Sequence, residues 1–153
     1  VAARALWWWF IGRNVPKYPP LVIDDDDPAM TAAMEKARAS FDQFRSLHSS
    51  GIEDCQVKIR FLSNAGMLEH LWAAVLKITD TGIEVRYLTP PVTHTGKLER
   101  IHVHPISDVE DWAAILPDGS IHGGFTQRVM FEEARKQWGD LPKALETQAA
   151  KYV

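Results

Sequence analysis

His102 and His104 stand two residues apart in the segment Arg100–Ile106, where apolar and polar residues alternate. On a strand both imidazoles leave the same face, and with His94 or His122 nearby they could bind zinc, copper or nickel. A catalytic zinc site needs a third protein ligand, which this spacing does not supply. The expectation is therefore no metal and no cofactor, with His102 and His104 as the candidate ligands. His70 raises a second possibility. It shares a strand face with Trp72, Ala74 and Leu76, and Asp111 is its candidate partner. In an open pocket that carboxylate could orient the imidazole as a general base, whereas a buried pair would only satisfy the core. No hydroxyl or thiol stands in a nucleophile elbow. Cys55, the single cysteine, opens a strand with nothing beside it to depress its pKa. Gly123 and Gly124 precede a helix starting near Thr126, so free N–H groups together with Arg128 could receive an anion. GxGxxG and the P-loop lysine are both missing, which disfavours a nucleotide. The competing role for the two glycines is to take backbone angles closed to other residues and to let Phe125 pack.

These residues need a frame. Asp27 followed by Pro28 is a helix start, with a carboxylate to accept an orphan N–H and a proline suited to the first turn. Met30, Met34, Ala37, Phe41 and Phe44 then recur at spacings of four, three, four and three, which predicts one helix from Pro28 to about Leu47. Glu35, Lys36, Arg38, Asp42 and Arg45 form its solvated side, and Ser49, Ser50 and Gly51 end it. The period then becomes two: Val57, Ile59 and Phe61 alternate with Gln56, Lys58 and Arg60, a half-buried strand. Met67–Thr79 and the Ile83, Val85, Tyr87 segment follow with short turns, an antiparallel meander. After the break at Pro90 and Pro91, Arg100–Ile106 gives another strand with Ile101 and Val103 facing one way. Trp112–Leu116 and Ser120–His122 form a last hairpin about Asp118-Gly119. Helices from Thr126, as cap, to Trp138 and from about Asp140 to Lys151 close the chain. The fold expected is α+β, with the N-terminal helix packed on a strongly curved, barrel-like antiparallel sheet and helices at the C-terminus.

The chain has 153 residues, 46% hydrophobic, 24% charged and 10% aromatic, the composition of one globular domain with an extension. A formal charge of -3 provides no positive field to gather phosphate backbones, so nucleic acid is not an expected partner. One cysteine excludes a disulfide scaffold. Asp24–Asp27 lacks the alternation, glycine and distant glutamate of a calcium loop. Residues 1–27 read as an aromatic arm and a Pro/Asp-rich connector, 28–139 as the domain and 140–153 as a helical extension. In the arm, the run Ala5–Gly12 contains Trp7, Trp8 and Trp9. It is too short to span a bilayer, which takes about 20 apolar residues. The expectation is that it docks on its own domain or a neighbouring subunit, with membrane contact through the three tryptophans as the alternative. The cytoplasm is the favoured location, and a periplasmic or membrane-associated one applies if the chain is shortened at its N-terminus.

The series Asp27-Pro28-Ala29-Met30, Glu69-His70-Leu71-Trp72, Ile106-Ser107-Asp108 with Asp111-Trp112, Asp118-Gly119 and Gly123-Gly124-Phe125-Thr126 resembles the bacterial YegJ-like domain of unknown function, of the DUF2314 type. The resemblance covers Asp27 to about Val129. It implies a small bacterial α+β domain without an established reaction, and its recurrent positions fall here on His70, Trp72, Asp111, Trp112, Gly123, Gly124 and Thr126. Tryptophans and acidic patches typify specific interfaces. The expected function is therefore a non-enzymatic protein-binding module, such as an immunity protein against a toxin or a regulatory protein. Its binding candidates are Trp72, Trp112, Gly123, Gly124, Thr126 and Arg128. The alternative is a small hydrolase or metal-dependent enzyme using His70 with Asp111, or His102 with His104.

Overall fold

The computed structural model of the chain describes residues 21, 23, 24 and 26–153. The reading of Trp7, Trp8 and Trp9 lies outside these residues. No helix among the described residues is long and apolar enough to cross a membrane.

Asp27 opens the first helix as its sequence suggests: Oδ1 accepts from the backbone N–H of Ala29 at 2.9 Å and of Met30 at 3.1 Å. The single helix expected to run to Leu47 is two, α1 (Pro28–Ala39) and α2 (Phe41–Ser49). The break falls at Ser40, whose hydroxyl donates to the carbonyls of Lys36 and Ala37 and competes with the helical ladder. The apolar stripe survives the break, since Met30, Ala37, Phe41 and Phe44 are all buried.

Six strands follow: β1 (Asp54–Leu62), β2 (Leu68–Ile78), β3 (Gly82–Tyr87), β4 (Ile101–Pro105), β5 (Val109–Ile115) and β6 (Ile121–Gly123). All pairings are antiparallel, in the order β4-β3-β2-β1-β5-β6. The sheet is open, which corrects the barrel-like expectation. Closure would require β4 to pair with β6, yet the free side of β6 is taken by the C-terminal segment. Ile121 N–H donates to Lys151 O at 2.8 Å and Val153 N–H to Ile121 O at 3.0 Å.

α1 and α2 cover one face of the sheet, over Val57, Ile59, Leu71, Val85 and Trp112. The Trp112 ring stacks on Phe44 at 5.3 Å, and its Nε1–H donates to Ala37 O and Ser40 Oγ, so it ties the helix break to the sheet. Beyond β6 come α3 (Phe125–Trp138) and α4 (Lys143–Ala149). Gly124, with φ 63°, holds the cap position expected for Thr126, and Thr126 lies in the first turn. The last helix begins three residues later than expected, because the residue before Pro142 is turned away from helical angles.

A second core joins Leu21, Ile23, Met30, Met130, Phe131 and Leu141. Leu21 and Ile23, from the connector, and Leu141, from the C-terminal extension, are integral to this core. Leu21→Ala should cost about 2–5 kcal/mol, read by denaturant unfolding. Deleting residues 1–20 should preserve one cooperative thermal transition; loss of cooperativity would place the arm in the core.

Candidate functional site

Among the described residues three of the four buried charged side chains, Lys58, Glu110 and Asp111, belong to the face of the sheet away from α1 and α2. Its organiser is a bulge in β5: Lys58 pairs with Asp111 but the next residue, Ile59, pairs with Val109, leaving Glu110 as the extra residue. A bulge re-aims side chains, and here it sends two consecutive carboxylates, Glu110 and Asp111, to the same side. Glu110 meets the imidazole of His70, with Oε2 and Nδ1 2.5 Å apart. The expected partnership of His70 with Asp111 is thus corrected, because strict alternation hides a bulge.

Asp111 is fully buried and faces a different set of groups. Its Oδ2 accepts from the Thr126 hydroxyl at 2.5 Å and the Thr126 N–H at 2.8 Å, and its Oδ1 from the N–H groups of Trp112 and Phe125. Gly124 has no side chain to cap α3, so a carboxylate on the neighbouring strand does so, against the positive end of the helix. Lys58 completes the set. Alternation along β1 puts it among solvated residues, yet it is 1% exposed. Its Nζ donates to Thr126 Oγ1 at 2.6 Å and lies 5.1 Å from the Trp72 ring centroid.

Burial pushes the Lys58 ammonium down to about 8, with Asp111 and Glu110 opposing the shift. Burial also raises Asp111, against the pull of Lys58 and the hydrogen bonds it accepts. Below about pH 8 Lys58 is protonated both folded and unfolded, so its burial cost is present in full. Between about 8 and 10.5 the unfolded chain holds more protons and stability rises with pH. The unfolding free energy of the parent relative to Lys58→Met should therefore rise by up to about 3 kcal/mol from about pH 7 to about pH 10.5. A flat difference would contradict the burial of a charged Lys58.

The other candidates are committed elsewhere. His104 Nε2 lies 2.7 Å from the Tyr87 hydroxyl and Nδ1 3.4 Å from Asp108, while His102 Nε2 donates to Glu99 O and its ring stacks on Tyr87. Burial is the main cause that lowers His104. Among the described residues no group of three or more His, Cys, Asp and Glu side chains is placed to hold a metal ion. Cys55 is buried and its thiol is pushed up to about 11, chiefly by that burial, which disfavours a thiolate.

Arg128 donates to Gly123 O through Nε and Nη2 and to Val153 O through Nη2, so it clasps the backbone and is not held out toward an anion. A Cβ on Gly123 would meet Trp112 O at 2.3 Å, and one on Gly124 the Tyr152 ring at 2.4 Å. These glycines are points of close approach. Trp112, only 1% exposed, is core on the helix-covered face.

Trp72 is different, because it borders a groove. Strand register aligns Ile101, Arg86, Ala74, Gln56, Ala113 and Gly123 in one row across all six strands. Its middle is small, and larger residues flank it: Trp72 and Leu88 on one side, Ile115 and Ile121 on the other. Over Gln56 and Ala113 this makes a groove of about 230 Å³, closed at its β6 end by Gln127, Gln148 and Tyr152. Sequence reading missed Lys58, Glu110, Ala74 and the two glutamines.

The chain belongs to a family of uncharacterized proteins conserved in bacteria, DUF2314, whose model matches residues 27–140. Comparison with curated proteins and with solved structures finds no match to the chain.

Proposed function

We propose that this protein is a non-enzymatic protein-binding module, an immunity or regulatory protein, and that its partner contacts the sheet face away from α1 and α2. The observation that carries the reading is how that face is divided. Its buried ionisable cluster is closed on itself and largely withdrawn from water, Lys58 and Asp111 sharing the Thr126 hydroxyl and Glu110 meeting His70. Large apolar side chains beside them stay in water: Leu76 and Leu88 are each 40% exposed, Ile101 55% and Val103 71%. Catalysis needs a reacting group within reach of substrate, whereas recognition needs an accessible apolar centre with a polar rim. Exposed apolar surface grouped beside a groove marks an interaction site.

A photo-crosslinking amino acid at Leu88, in a bacterium expressing the protein from its natural locus, tests the reading. Leu88 should give a discrete protein adduct, and Asp42, fully exposed on α2, should not. Absence of an adduct at Leu88, or the same adduct at both positions, would count against this face.

A further inference from the structure

The geometry points to an occupant of stated chemistry: a protein segment that presents apolar side chains in single file, with a carboxylate beside them. This rests on the reading of the face as a binding surface.

Neighbouring strands lie about 4.8 Å apart, so a row through six strands is about 24 Å long. The flanking residues stand two positions along their strands from the floor, which separates the two walls by about 13 Å between Cα rows. Once the wall side chains are in place, the remaining width suits one file of inserted side chains. In the row, Ala74 and Ala113 stand on either side of Gln56, whose amide is turned onto Asp54, and the β6 end is closed by the neutral amides of Gln127 and Gln148. An inserted apolar group therefore meets no buried charge there.

The other end is cationic. Arg86 is exposed and is the one charged residue in the row, between Ile101 and Ala74. The face's remaining charges are Asp54, Arg60, Lys77 and Glu84. Glu84 sits opposite Lys77 in register, Asp54 accepts from Gln56 Nε2 at 3.0 Å, and Arg60 lies opposite His70, off the row. Among the described residues Arg86 has no ion pair. A guanidinium beside exposed Ile101 matches a carboxylate that arrives together with apolar side chains, since the apolar contact dries the ion pair and the ion pair fixes its direction along the groove.

The probe is a phage-displayed library of random short linear peptides, panned against the full chain. Enriched peptides should carry Asp or Glu at a fixed offset from at least two apolar residues. Their binding should fall about tenfold or more on Arg86→Glu, less on Arg86→Gln, and vanish on Ala74→Arg, which fills the floor. Panning on Arg86→Glu should enrich Lys or Arg at that offset instead. Peptides lost on Ala74→Arg but indifferent to Arg86→Glu would overturn the carboxylate and leave the binding face standing. Peptides indifferent to both variants, or no enrichment at all, would overturn both. Arg86 is exposed, so an unchanged thermal midpoint for its variants separates recognition from folding.

Discussion

Asp111→Ala should destabilise the protein by about 3–5 kcal/mol, the cost of leaving a buried cation without its partner. Asp111 faces Lys58 in register and accepts three hydrogen bonds from the start of α3 and one from the N–H of Trp112, so the change removes a counter-charge and a helix cap together. The two contributions separate in a double variant. Lys58→Met with Asp111→Ala should recover the electrostatic part and retain a deficit of about 1 kcal/mol for the lost cap. Equilibrium urea unfolding of the four proteins checks this. Equal destabilisation of the single and double variants would show that Lys58 and Asp111 do not depend on each other.

Trp112→Ala should cost about 3–5 kcal/mol, as for other buried large aromatics. The ring lies between Phe44, at 5.3 Å, and Phe125, at 5.8 Å and edge-on, and its Nε1–H reaches the Ser40 break. Gly123→Ala is the companion change. Gly123 has φ 80° and its added Cβ would press on Trp112 O, so the variant should also be destabilised, by strain instead of a cavity. Thermal melts and near-UV circular dichroism report both. A Trp112→Ala protein with an unchanged melting point would show that this ring is a contact residue, not core.

These expectations divide according to how local their causes are. Asp27 caps α1 as its sequence position indicates, because an N-cap is decided within four residues. Val57, Ile59 and Phe61 face the core because period two is a property of one strand. The break at Ser40 was less legible: a serine within an apolar stripe does not reveal whether its hydroxyl will bond back to the helix. The site was hardly legible at all. Lys58 looks solvated in β1, and the hydroxyl that receives its ammonium, on Thr126, comes 68 residues further on. His70 looks destined for the aspartate that alternation allows, and one bulge in β5 hands it Glu110 instead. The groove depends on cross-strand register at Ala74, Gln56 and Ala113, which no single segment encodes.

The most direct test of the central claim, that function resides in the groove and that the Lys58–Asp111 set serves the fold, is cross-linking from Leu88 in a parent and an Ala74→Arg background. The prediction is that the Ala74→Arg protein melts at the parent's temperature and loses the adduct, because an arginine stands where the partner's side chains would lie. An undiminished adduct on a folded Ala74→Arg protein would contradict it.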